Sequence, residues 1–498
     1  MTFRPDRPLG AAFWAVGAAA TALAGCAEAP PEASPVASVR SGASFALLAE
    51  AGQMMRAGDL AEAGRKLDEA RALEPDNPAV WVAIARLRFR GGEQISALEA
   101  VERALEFDPA DGPALLMRAQ LVRDAHGFRA ARSWYEAALA ADPGNPEIRI
   151  DYAATLGENG DYRAMLAALD GIGERQPEAA RAHFLRAVLA ARAGENVLAR
   201  SLLARSGLAE RDVPAAVLLD ALIDLAQGNH DSAAARLADL ARRQPGNVRV
   251  AELHARALWL GRRDRELVDL YAGRARRPDA SPYLSMLAGR ALERLGERGE
   301  AAPFLERGAS GPTREIALLG AEEGLPEPTA RVRALLASGD RQGARRAAEI
   351  LRARLASSSD IAALAGDVAL AAGDAKGALE TYRDAVGVRR PWPLAKKAIH
   401  AYRMLGDEAA ADRLLARHAA GEPNNAEALV MLAARSAQSE DWLRAKLLLD
   451  RAIALGAGND PALLRLAAEA AGALGQQDKA GRLAARADTL APRGFAAR

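Results

Sequence analysis

Pro75, Pro109, Pro143 and Pro177 stand 34 residues apart, Arg211 occupies the place where the next is due, and Pro245 resumes the series. A fixed period of this length means that each repeat is one supersecondary unit that can bury its apolar face only against its neighbours. A second series keeps the same step with small residues, through Ala85, Ala119, Ala153, Ala187, Ala221, Ala255 and Gly289. Stacked units also explain how 498 residues fold without one oversized core. Within Pro78 to Asp111, Trp81, Ile84 and Ala85 fall on one helical face, Gly91 and Gly92 break that helix, and Ala97, Val101 and Ala104 share a face of the next before Pro109 ends it. The spacing therefore predicts a helical hairpin in each period. An aromatic content of only 4% suits such an Ala- and Leu-rich stack better than a sandwich of strands.

Trp81, Ala85, Ala97, Ala104 and Pro109 fill the fourth, eighth, twentieth, twenty-seventh and thirty-second places of the period, and on them the unit resembles a tetratricopeptide repeat, with Arg88 departing from the usual aromatic. The resemblance implies an all-α fold, a right-handed α-α superhelix (a tetratricopeptide repeat solenoid) of about thirteen helical hairpins. Eight units fit residues 44–315, beginning at Ser44, Pro78, Gly112, Pro146, Ala180, Pro214, Val248 and Pro282, and five more fit 325–494. The least regular begin after Val248, where Arg262-Arg263-Asp264 replaces the turn glycine, at Leu325, and near Pro393. Between the blocks, 316–324 is expected to act as a linker, and Gly324-Leu325-Pro326-Glu327-Pro328 to bend or hinge the stack. Turns such as Gly58-Asp59, Gly160-Asp161, Gly228-Asn229 and Gly406-Asp407 predict a left-handed glycine closing one helix and a side-chain cap opening the next.

Arg4 and Arg7 precede an apolar run from Leu9 to Leu23, the length and flank of a secretory signal rather than a membrane span. The run ends in Leu23-Ala24-Gly25-Cys26, which resembles the lipobox of bacterial lipoproteins and holds the only cysteine of the chain. That resemblance implies a signal peptide at 1–25, a lipid on Cys26 as the first mature residue, and a membrane attachment through it. Because Ala27 rather than Asp follows, the family's sorting habit implies the periplasm-facing outer membrane. Residues 26–43, rich in Pro, Ala and Ser, read as an extended tether. Removal of 1–25 takes away two of 66 basic and one of 65 acidic residues, leaving 64 of each. A balanced charge and the lack of a nucleic-acid-binding motif argue against nucleic acid as a partner.

The repeats leave no room for a catalytic domain between Ser44 and Pro492, and the six histidines show no metal-ligand spacing, so no enzyme activity, metal or cofactor is expected. Carboxylates on so many amphipathic helices read as solvated faces. The second, fifth, ninth and twelfth positions of each first helix are, by the repeat resemblance, those that line the concave groove. They supply Arg86, Phe89, Gln120, Arg123, Arg256, Trp259, Tyr283, Met286 and Arg290, residue types that anchor protein partners. Trp259 with Arg256, Tyr283 and Arg290 is the group to test first. Charge is uneven: Ser44 to Asp111 holds eight basic and thirteen acidic residues, whereas Arg331 to Leu355 holds seven arginines against Asp340 and Glu349. In architecture and anchor the chain resembles bacterial repeat lipoproteins, and that resemblance implies a non-catalytic scaffold, binding envelope proteins in its groove for secretion, pilus assembly or exopolysaccharide export. The alternative is a recognition module for a glycan such as peptidoglycan or an anionic polysaccharide.

Overall fold

The structure, a computed structural model, describes residues 42–173, 176, 178–277, 280–309, 327–386 and 390–490. The lipobox, Cys26, the tether up to residue 41, the linker 316–324 and the Pro326 break lie outside the described residues. Among the described residues there are thirteen antiparallel helical hairpins and no strand, the class and number expected. No helix among them is long and apolar enough to cross a membrane.

The chain divides into two units, neither of which coincides with a sequence block. One comprises α1 (Gly42–Ala57), α2 (Leu60–Leu73), α3 (Pro78–Arg90), α4 (Gln94–Phe107), α5 (Gly112–His126), α6 (Phe128–Ala141), α7 (Pro146–Asn159) and α8 (Tyr162–Asp170). To these it adds, from much later in the chain, α17 (Glu327–Ala337), α18 (Arg341–Arg354), α19 (Ser359–Ala371), α20 (Ala375–Val386), α21 (Trp392–Met404) and α22 (Glu408–Gly421). The other comprises α9 (Ala179–Arg192), α10 (Asn196–Ser206), α11 (Pro214–Gln227), α12 (His230–Arg243), α13 (Val248–Leu260), α14 (Asp264–Ala275), α15 (Pro282–Arg294) and α16 (Arg298–Ala309). It is completed by α23 (Ala426–Gln438), α24 (Trp442–Ala452), α25 (Pro461–Ala473) and α26 (Gln477–Leu490). The three least regular repeats all form hairpins: α13 with α14, α17 with α18, and α21 with α22.

Local chemistry makes each joint. The N–H two or three residues past the helix reaches back to a carbonyl in its last turn, as from Asp59 to Met54 (3.0 Å), Asp161 to Leu156 (2.8 Å) and Asp441 to Ser436 (2.9 Å), the bond that a left-handed residue allows. Arg262 and Glu440 take that left-handed place with φ of 62° and 58° where other hairpins use glycine. The expected side-chain cap is present at Asp59, Asp340, Asp407 and Asp441. It is missing at Asp161 and Asn229; the Asp161 carboxylate instead pairs with Arg132 (3.4 Å) on the neighbouring hairpin. Ala85, Ala119, Ala153, Ala187, Ala221 and Ala255 are all fully buried between the helices of their hairpins, as are Ala97, Ala104, Ala131 and Ala138 from the other side. At Gly289 even one methyl is excluded, since a Cβ there would lie 2.8 Å from Leu305 Cγ.

What periodicity does not announce is the return of late hairpins onto early ones. In the first unit Ser96 Oγ meets Ser357 Oγ at 2.8 Å, and the Ser359 N–H donates to Gln94 Oε1 at 3.3 Å. In the same unit α6 packs on α22, where a Cβ on Gly421 would stand 2.6 Å from the His126 carbonyl oxygen. In the other unit α16 packs on α25, and Arg290 Nη2 donates to the Leu490 carbonyl at 2.7 Å.

Candidate partner-binding face

The nine groove positions fall in the two units separately. Arg86, Phe89, Gln120 and Arg123 stand on α3 and α5, and Arg256, Trp259, Tyr283, Met286 and Arg290 on α13 and α15.

On α3 and α5 the polar residues are already engaged. Arg86 Nη2 pairs with Glu147 Oε2 at 3.1 Å, and Gln120 Nε2 donates to Asp151 Oδ2 at 2.5 Å, each reaching α7. Phe89 is half-buried beside them. Arg123 Nη1 donates to the Tyr135 hydroxyl at 3.2 Å, and its Nε lies 3.5 Å from Asp124 Oδ1. Burial opposes the charge on Arg123, but Tyr135, Asp124, Glu158 and Asp151 more than offset it and raise its pKa. Burial also pushes the Glu158 carboxyl up to about 8, assisted by Asp124, Glu422 and Asp151 and resisted by Arg123. This is an internal polar network; Asp124, Tyr135, Asp151 and Glu158 belong to it, and the groove positions alone do not point to them. The sequence signal is a pair of acids two turns apart on one face of α7, Asp151 and Glu158, in the hairpin after Arg123.

On α13 and α15 the picture is mixed. Trp259 is half-buried, with the Arg294 guanidinium 4.6 Å from its ring centroid and Arg294 Nη2 donating to its carbonyl at 2.7 Å. Asp264 fixes Arg294 from the far side (2.6 Å), while the Trp259 indole N–H has no partner. Tyr283 is half-buried too; burial raises its phenol pKa and the charge of nearby Arg256 partly counters this. Two expectations do not hold here. Met286 is only 6% exposed and lies under α16, where a Cβ on Gly308 would come 3.0 Å from Met286 Cβ, so it packs the hairpin and faces no partner. Arg290 is occupied by Glu293 Oε2 (2.6 Å) and by the Leu490 carbonyl, a bond from 200 residues away that no local pattern foretells. What remains partly at the surface is Arg256 and the rims of Trp259 and Tyr283, a cation and two aromatic edges suited to the carboxylates and side chains of a protein partner, while the unpartnered indole N–H is itself buried.

Carboxylates read as solvated are in places buried. Asp220 and Asp224 on α11 are each bridged by Arg200 and Arg236 at 2.8–2.9 Å, a four-charge network across three helices. Asp367 on α19 is buried between the Tyr382 hydroxyl (2.7 Å) and Lys397 Nζ (2.5 Å). Both groups knit hairpins together. No cluster of three metal-capable side chains occurs among the described residues.

A tetratricopeptide repeat family model matches residues 54–121 and 123–190, so the repeat resemblance holds over these stretches. No curated protein matches the chain. Solved structures similar to it include PilW, described as a widely conserved type IV pilus biogenesis factor (20% identity, 42% of this chain and 98% of that one, TM-score 0.34). PilF of Pseudomonas aeruginosa (18%, 48% and 90%, TM-score 0.30) and a tetratricopeptide repeat protein from Parabacteroides merdae (16%, 59% and 98%, TM-score 0.27) are also similar.

Proposed function

We propose that this chain is a non-catalytic scaffold, held by a lipid on Cys26 in the outer membrane of a bacterium, that binds protein partners of an envelope machine through α13 and α15. The observation that supports it is the patch of Arg256, Trp259 and Tyr283, a cation and two aromatic rims left half-exposed when the hairpins have packed. Crosslinking in the native host followed by mass spectrometry tests the reading by naming what the patch holds.

Groove residues can be removed without loss of the stack, because repeat stability resides in neighbour interfaces. Trp259→Ala with Arg256→Ala should therefore leave the melting curve within a degree or two and reduce partner capture about tenfold or more. Ala255→Leu, fully buried one residue away, should instead cost about 1–3 kcal/mol of stability. Partner capture that survives the double substitution, or a double variant that unfolds, removes this face from consideration.

The anchor has its own test. Cys26→Ala should abolish palmitate labelling and release the protein from the membrane fraction; retained label in the variant would rule the lipid out.

The second reading, an anionic glycan, is favoured by α18, on which Arg341, Arg345, Arg346, Arg352 and Arg354 are all exposed. Binding of an acidic polysaccharide that persists in the Trp259/Arg256 double variant would favour it over the protein-binding reading.

A further inference from the structure

Where α5 ends, α21 begins and α22 ends, three segments far apart in sequence converge within one unit. Trp392 stacks on His418 with ring centroids 4.8 Å apart, and the Gly421 backbone lies against His126 and Gly127. Arg390, two residues before Trp392, is only 5% exposed and makes no hydrogen bond or ion pair with any described residue. Of the charges acting on it Arg417 comes first, and that like charge adds to burial in lowering its pKa; Glu422 is the only acid among them. Glu422 is itself drawn to His418, with Nε2–Oε2 at 3.3 Å. On the other side His126 sits among Arg390, Arg118 and Arg417, and burial together with these three cations lowers its pKa to about 4. Arg118 is the one member with a close acid, Glu102 at 3.0 Å, and it also lies over the Trp134 ring.

A guanidinium taken out of water without a counter-charge is among the most unfavourable features a fold can carry, and a second arginine nearby worsens it. Arg200 and Arg236, by contrast, are each set against two aspartates. Arg390 lies at a junction of early and late hairpins, with the exposed Arg417 at its rim. We propose that this junction is a binding site for a single oxyanion group, a phosphate or a carboxylate on a small ligand, with Arg390 as its buried anchor and Arg417 and the His126 imidazole as further contacts. The planar guanidinium fork matches either group with two parallel hydrogen bonds. An anion seated there relieves the repulsion between Arg390 and Arg417 and ties α5 to α21 and α22, so it stabilises the return of the late hairpins onto the early ones. The site shares no residue with the Arg256–Trp259–Tyr283 patch, and it stands or falls independently of that patch.

The test uses the purified full chain and two probes, inorganic phosphate and acetate, titrated at constant ionic strength by calorimetry and by thermal melting. The expected result is one site per chain for at least one probe, with a melting curve shifted upward by a few degrees at saturation, since a ligand that binds only the folded state stabilises it by mass action. Which probe binds more tightly separates the phosphate source from the carboxylate source. Arg390→Met should weaken binding about tenfold or more and abolish the thermal shift, while Arg346→Gln, an exposed arginine on α18, should bind as the wild type does. Should Arg390→Met fail to fold, Arg417→Gln at the exposed rim decides, and weakened binding is expected of it. The inference is overturned if neither probe binds the wild type, if Arg390→Met (or Arg417→Gln in its place) binds unchanged, or if Arg346→Gln loses as much. A wild type blind to both probes beside an Arg390→Met variant that melts higher would identify an uncompensated buried cation and no site.

Discussion

Gly127→Ala is expected to destabilise the protein by roughly 3 kcal/mol or more, well beyond an ordinary turn-glycine substitution. Gly127 alone joins α5 to α6, at φ 83° and ψ 176°, a region that side chains essentially never enter and whose strain amounts to about 1–3 kcal/mol. A Cβ there would also overlap the Gly421 carbonyl and stand 2.6 Å from Gly421 Cα, so two backbones would have to part. Gly58 isolates the first effect: its φ is 86°, and a Cβ on it would meet nothing within 4 Å. Gly58→Ala should therefore carry the conformational penalty alone, about 1–2 kcal/mol. The reciprocal change tests the contact by its sign. Gly421→Ala at the end of α22 should stabilise by up to about 1 kcal/mol on helix propensity, yet its Cβ would lie 2.6 Å from the His126 carbonyl oxygen, and destabilisation is expected. Denaturation midpoints of the three variants, with hydrogen exchange along α22, supply the comparison. Equal losses for Gly127→Ala and Gly58→Ala, together with a gain for Gly421→Ala, would show that α22 does not rest on the α5–α6 turn.

The second large effect is expected at the network on α10, α11 and α12. Arg200→Met with Arg236→Met would leave Asp220 and Asp224, both buried, beside each other without their counter-ions. Breaking a buried pair from one side costs about 3–5 kcal/mol; because both arginines are a third or more exposed, the lower end is expected. The effect depends on pH with a definite sign. Burial already raises the Asp220 carboxyl pKa above its ordinary 3.8 against the pull of Arg236 and Arg200, and without them it rises further. A carboxyl whose folded pKa exceeds its unfolded one is no liability below the unfolded value and becomes one as pH climbs through the folded value. The gap between wild type and variant should thus be widest near neutral pH and narrow as pH falls toward 4. A gap that widens in acid, or melting curves that coincide at pH 7, would mean that the arginines do not support the buried aspartates.

The legible part of this protein is the part made by neighbours in sequence. The thirteen hairpins, their boundaries, the buried alanines from Ala85 to Ala255 and the left-handed turn places follow from a 34-residue spacing and from bonds that span five residues. Even Arg262 and Glu440, which lack the glycine, keep the turn, because packing of the two flanking helices overrides one residue's backbone preference. The candidate face was legible only as positions: periodicity identifies which residues are left out of hairpin packing, and among these Arg256, Trp259 and Tyr283 are half-exposed.

What becomes of such a position was decided in three dimensions. Met286 is covered by α16, Arg290 is claimed by the carbonyl of Leu490, and Gln120 and Arg123 enter a polar network with α6 and α7. The return of α18 to α22 onto α4 to α6, which brings Ser357 to Ser96 and Gly421 to Gly127, rests on contacts more than 250 residues apart in the chain. A repeat sequence specifies each joint through local hydrogen bonds and side-chain volumes, and these are the same at every period. Where the stack meets itself depends on the sum of many small rotations between hairpins, a quantity no single repeat contains, so the periodic sequence by itself determined the hairpins and only the tertiary structure decided which of their faces remain open.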